Sequence, residues 1–206
     1  MNNNEFFIEI SHSFLEIAQA EYEQLENPQL NSIEFLKFSF AQHFREDINF
    51  LTQLDGNPLF HARYANIIIR DILEQTIELL YLIKNPDLVD EYLGLKIDLN
   101  SINESESPLE DLKQFGQNRF IKKRPKIINM AKKIEQYSST DDTLSLYKIY
   151  RNLSEECHNS YYFSMLDEIE MISTDCAIEA LTEEQRMYLT WIINSLTDIY
   201  PPEKDT

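Results

Sequence analysis

An all-α fold, an antiparallel helical bundle with shorter decorating helices, is expected from three observations. Leu, Ile, Phe and Tyr recur at helical spacing along most of the chain, and prolines stand at segment borders. Only three glycines, Gly56, Gly94 and Gly116, occur in 206 residues. So few leave little for Gly-dependent hairpin turns or for a loop that cradles phosphate.

Apolar periodicity predicts helices over 5–25 and 31–53. The next, 59–84, follows Asn57-Pro58 and is apolar around most of its circumference, the pattern of a helix buried on most sides. Asn85-Pro86 gives a cap and proline before a helix at 87–99. Residues 100–107, NSINESES, read as a loop, and Ser107-Pro108-Leu109-Glu110 opens a helix over 108–117. Arg124-Pro125 marks the border of a helix at 125–138, and a further helix is expected over 142–158. Residues 160–172 fit an extended segment, a helix or a loop equally well. Thr182-Glu183-Glu184-Gln185 has capping-box spacing and starts a helix over 182–199. Residues 1–206 are taken as one domain.

No run of about 18 apolar residues suggests a membrane span. The start lacks a basic stretch followed by a continuous apolar core, so no secretory signal is expected. Cys157 and Cys176 form no CxxC pair and suggest no disulfide framework. A soluble cytoplasmic protein is expected. The net charge of −18 opposes general nucleic-acid binding, yet residues 119–133, RFIKKRPKIINMAKK, hold seven Lys or Arg and no acid. Two roles fit Lys122, Lys123, Arg124 and Lys126: tracking an RNA backbone, or neutralising an acidic neighbour within the bundle.

Two helices carry the chemistry-bearing residues. In 59–84, Arg63, Arg70 and Glu74 fall at spacings of seven and four and form one polar stripe, with Asn66 beside it. The stripe is either an Arg70–Glu74 ion pair or the lining of a groove. In YRNLSEECHNS, 150–160, the seven-residue step from Arg151 to His158 ends about 20° short of two full turns. Both side chains are therefore expected on one face with Tyr147 and Glu155, opposite Leu146, Tyr150, Leu153 and Cys157. A guanidinium binds phosphate oxygens and an imidazole moves protons near neutral pH. The plainer reading of the same spacing is a solvated helix face.

Arg151-Asn152, five more residues and His158, late in an all-helical chain, resemble the R-x4–6-H motif of the HEPN superfamily. Asn152 is one of the polar residues that superfamily favours after the arginine. The helix RYANIIIRDILEQTIELLYLIK looks like the arginine-and-glutamate helix of a bacterial HEPN-like group. The resemblance covers about 59–162. It implies a metal-independent endoribonuclease of toxin–antitoxin or antiviral defence, a homodimer whose two motifs share a cleft. His158 would be general acid or base, Arg151 would stabilise phosphoryl charge, and Asn152 would hold the imidazole or a phosphate. Arg63, Arg70, Glu74, Tyr147 and Glu155 would support them. RNA would be the substrate, an antitoxin or other defence protein a partner, and no cofactor is needed. HEPN toxins neutralised by nucleotidyl transfer carry a tyrosine two residues past the histidine; here that position is Ser160.

Two other function classes fit the residues. One is a non-catalytic helical regulator or subunit of a defence complex, in which Arg151 and His158 hold helices or a partner. The other is a di-metal carboxylate bundle, from the Glu155-x-x-His158 and Glu9-x-x-His12 spacings. That plan wants a further glutamate helix before each pair, and Glu9/His12 has none. Cys157 reads as a buried structural thiol, and His43 and His61 as ordinary packing or surface residues.

Overall fold

Six α-helices and no strand make up the regular structure among the described residues of the computed structural model. Those residues are 3–25, 32–53, 58–89, 125–135, 144–158 and 181–201, with side chains over 5–25, 32–53, 64–89, 125–135, 144–155 and 181–201. The helices are α1 (Asn3–Glu23), α2 (Ile33–Gln53), α3 (Pro58–Lys84), α4 (Ile127–Ile134), α5 (Leu146–His158) and α6 (Glu183–Leu196). A short 3-10 turn, Pro86–Leu88, follows α3. The fold is an all-α bundle. The helix expected over 87–99 begins in that 3-10 turn and beyond Val89 lies outside the described residues, as do the helix expected over 108–117, the loop 100–107 and the segment 160–172. No helix among the described residues is long and apolar enough to cross a membrane.

The helix starts follow from local side-chain chemistry. Ser32 Oγ accepts from the Phe35 backbone N–H at 3.0 Å, and Ser145 Oγ accepts from that of Lys148 at 3.1 Å. Each hydroxyl thereby satisfies one donor that the first turn leaves open. At α6 the expected capping box forms, with Gln185 N–H donating to Thr182 Oγ1 at 3.2 Å and Thr182 N–H donating to Gln185 Oε1 at 3.0 Å. Asn85 departs from expectation. Its side chain makes no cap bond to the turn it precedes; its Nδ2 donates to Tyr81 O at 2.8 Å. Asn85 closes α3, because that helix leaves carbonyls open at its end.

The helix α3 is the hub: α2, α4, α5 and α6 all pack on it, while α1 pairs with α2. Ala65, Ile69, Ile72, Leu73, Ile77, Leu79, Tyr81 and Leu82 of α3 are buried, which explains its nearly all-round apolar pattern. Phe40, Phe44, Ile48 and Leu51 of α2, Met130 of α4, Ile149 and Leu153 of α5, and Leu189 and Ile192 of α6 join them in one core. The core residues Ser11 and Thr76 donate to the Ile8 and Ile72 carbonyls, both at 2.8 Å, so their hydroxyls stay satisfied out of water.

The segment after α6 returns to the first two helices. Tyr200, 1% exposed, stacks on Phe14 at 4.8 Å between centroids and donates its hydroxyl to the Lys37 carbonyl at 2.9 Å. The Lys37 ammonium lies 5.6 Å from the centre of the Tyr200 ring and pairs with Glu21 of α1. Phe14 also stacks on Phe44, and Phe44 on Phe40, so a chain of rings joins α1, α2 and the C-terminal segment.

Candidate functional site

The helix α5 is amphipathic. Leu146, Ile149 and Leu153, at spacings of three and four, are buried, and this stripe docks the helix on α3. Arg151 lies two residues past Ile149, about 200° round the helix, and is exposed. Its Nε sits 3.7 Å from Glu155 Oε1, a pair one turn apart with both side chains more than half exposed. Such a pair is worth about 0–1 kcal/mol. An incoming anion therefore competes with Glu155 at small cost.

The remaining motif and face residues are divided. Asn152 is half-buried. Tyr147 is also half-buried, packs against the core and stacks on Tyr150 with ring centroids 6.4 Å apart. Tyr147 is thus part of the packing between α5 and its neighbours. Tyr150, expected among the core residues, is half-buried, and Ile149 takes the central core position. The physical reason is the α3 surface opposite it, which presents a guanidinium there. The helix α5 runs unbroken to His158, whose side chain lies outside the described residues, as does that of Cys157.

Arg70 of α3 meets α5 at Tyr150. Its Nη2 donates to the Tyr150 hydroxyl at 3.4 Å, and its Cζ lies 5.4 Å from the ring centre. A guanidinium over an aromatic face is held by the ring quadrupole, which suits a cation at a helix interface. Arg70 also lines a cleft of about 250 Å³ between α2 and α3, with Asp47, Ile67, Ile68, Asp71 and Glu74. Arg70 and Glu74 of the expected stripe therefore share a cleft. Asn66 turns to α6 and accepts from Gln185 Nε2 at 2.8 Å. The side chains of Arg63 and His61 lie outside the described residues.

Three carboxylates and one guanidinium line the α2–α3 cleft. Burial, with Asp71 adding to it, pushes the Asp47 carboxyl up to about 6; the His43 imidazole opposes the rise and Glu46 adds to it. A cleft of this charge repels a phosphodiester strand. Of the arginines that the motif and the stripe single out, Arg151 is the one standing in solvent among the described side chains.

Among the basic residues, Lys122, Lys123 and Arg124 lie outside the described residues, and Lys126 is exposed at the start of α4. Lys133 Nζ lies 5.4 Å from the centre of the Tyr81 ring, and Lys84 Nζ donates to Ile134 O at 2.6 Å. These two lysines bind α3 and α4 together. His12 Nε2 lies 3.3 Å from Glu16 Oε1 on the exposed side of α1. Among the described residues, no three or more His, Cys, Asp or Glu side chains gather closely enough to hold a metal ion.

Comparison with protein-family models, curated proteins and solved structures gives no match. Sequence reasoning missed Asp47, Asp71 and Glu135. The first two lacked a local signal, because a carboxylate on a helix is ordinarily solvated and only the packing of α2 on α3 sets them beside each other.

Proposed function

We propose that the chain is a metal-independent endoribonuclease of the HEPN type, a cytoplasmic homodimer of a toxin–antitoxin or antiphage defence system. The observation that carries this reading is Arg151 itself. It is exposed on a helix anchored by Leu146, Ile149 and Leu153, and it is restrained by a weak ion pair that a phosphate can replace. The helix stays continuous to His158, so the two-turn spacing of the motif holds for the backbone.

In this mechanism an imidazole takes the proton of the ribose 2′-OH as its oxygen bonds to the adjacent phosphorus. The bond from phosphorus to the 5′-oxygen breaks, and an imidazolium returns a proton to that oxygen. Arg151 stabilises charge on the non-bridging oxygens, and Asn152 holds the imidazole or a phosphate by hydrogen bonding. The products are a 2′,3′-cyclic phosphate and a 5′-hydroxyl. Two α5 helices facing one another across a dimer axis supply the base and the acid together. Lys126 and its neighbours 122–124 provide the basic approach that a chain of net charge −18 otherwise lacks.

A second reading, a non-catalytic helical subunit of a defence complex, draws on the Arg70–Tyr150 contact, which commits one stripe arginine to packing. Incubation of purified protein with RNA in excess EDTA separates the two. Cleavage with cyclic-phosphate ends, abolished in Arg151→Ala and His158→Ala variants that keep wild-type circular dichroism, is expected. Cleavage only on addition of a divalent metal, or undiminished in the His158 variant, would refute the mechanism.

A further inference from the structure

The start of α5 is held by two groups. Ser145 is its ordinary N-cap and accepts from Lys148 N–H at 3.1 Å. The second group comes from another helix. Glu135, the residue that ends α4, reaches across so that its Oε1 accepts from Leu146 N–H at 2.7 Å, and the N–H of Tyr147 also acts on that carboxylate. Ile149 N–H donates to Ser145 O at 2.9 Å, beginning the helical ladder. The donors that a first turn leaves open are thereby taken up, with a carboxylate at the positive end of the helix. Glu135 is fixed in turn. Its own N–H donates to Ala131 O at 2.9 Å, and Lys84, at the end of α3, donates to the neighbouring Ile134 carbonyl. Burial raises the Glu135 carboxyl above its ordinary range, opposed by the Leu146 and Tyr147 amides and by Lys84.

We infer that Glu135 is a positioning residue, the tether that fixes the first turn of α5 to the joined ends of α3 and α4 and so sets the pose of Arg151. The inference rests on the nuclease reading for its catalytic half and on the hydrogen bonds alone for its structural half. Arg151 stands five residues after Leu146, so a shift of the first turn is carried along a rigid helix to its guanidinium. Ser145 cannot replace the tether, because its bond lies within α5 and fixes the local turn rather than the helix against its neighbours.

The test uses the full chain with Glu135→Leu, Glu135→Gln and Ser145→Ala. Glutamine keeps an acceptor oxygen where leucine has none. Amide hydrogen exchange at Leu146 and Tyr147 is expected to speed about tenfold or more in the leucine variant and much less in the glutamine variant, with α1 and α2 unchanged. In Ser145→Ala the change is expected at Lys148. For RNA cleavage in EDTA, kcat is expected to fall about tenfold or more in Glu135→Leu with KM little altered, and to recover in Glu135→Gln. Wild-type exchange at Leu146 and Tyr147 in Glu135→Leu would overturn the tether. Faster exchange with unchanged kcat would overturn the positioning role. Wild-type protein that leaves RNA intact would overturn the nuclease reading and the catalytic half with it, and the exchange pattern alone would then uphold or overturn the tether.

Discussion

Replacing Asp47 by Asn asks what the acidic seam between α2 and α3 costs. Burial, then Asp71, lifts this carboxyl from 3.8 to about 6, so the folded chain holds the proton more tightly than the unfolded chain does. The matching stability is fully present below the unfolded value of 3.8 and is lost as pH rises through about 6. About two pH units correspond to roughly 3 kcal/mol, and solvent screening at a half-exposed carboxylate reduces that to about 1 kcal/mol. Asparagine has nearly the same shape and carries no charge to desolvate. Urea unfolding of variant and wild type between about pH 4 and pH 8 isolates the effect, since the other carboxylates cancel in the difference. The two chains are expected to match near pH 4, with the variant more stable by about 1 kcal/mol at pH 8. Asp71→Asn should move the inflection of the Asp47 titration to lower pH. A difference that stays flat across the range, or an asparagine variant less stable at pH 8, would refute the account of the seam.

Three further outcomes follow from the packing. Tyr200→Phe removes one buried hydroxyl bond and should cost about 1 kcal/mol, whereas Tyr200→Ala opens a cavity against Phe14 and should cost about 3–5 kcal/mol, both read by urea unfolding. Burial, with Glu21 adding to it, also holds the Tyr200 phenol above its ordinary range, so its share of stability should fade only in strong alkali, followed by phenolate absorbance. On α5, Ile149→Ala should destabilise by about 2–5 kcal/mol and Arg151→Ala by less than about 0.5 kcal/mol, measured by thermal melting. Equal losses at the two positions would mean that Arg151 is a packing residue and would remove the basis of the proposed function.

Much of the helical framework was legible because its signals are local. The span 59–84 matches Pro58–Lys84, and the Thr182–Gln185 capping box stands where its spacing placed it. The start of α5 lies at Leu146 rather than 142, and α4 ends at Ile134 rather than 138. Both shifts arise at the joint where Glu135 leaves helical geometry and turns its carboxylate to the next helix. Periodicity says nothing about such a joint, because it requires two helix ends brought together in space. Tyr150 shows the same limit: its position suits an apolar stripe, but its half-buried state is decided by Arg70, eighty residues away.

The sequence by itself determined that the chain is helical, where most of its helices run, and that Arg151 faces away from the apolar stripe of its own helix. These properties depend on the 3.6-residue repeat and on caps within four residues. Only the tertiary structure decided that Arg70 stacks on Tyr150, that Asp47 and Asp71 share a cleft, that Tyr200 seals α1 against α2, and that Glu135 holds α5. Each of these joins residues from different helices, and the desolvation that raises Asp47 and Glu135 exists only once those helices have closed over them.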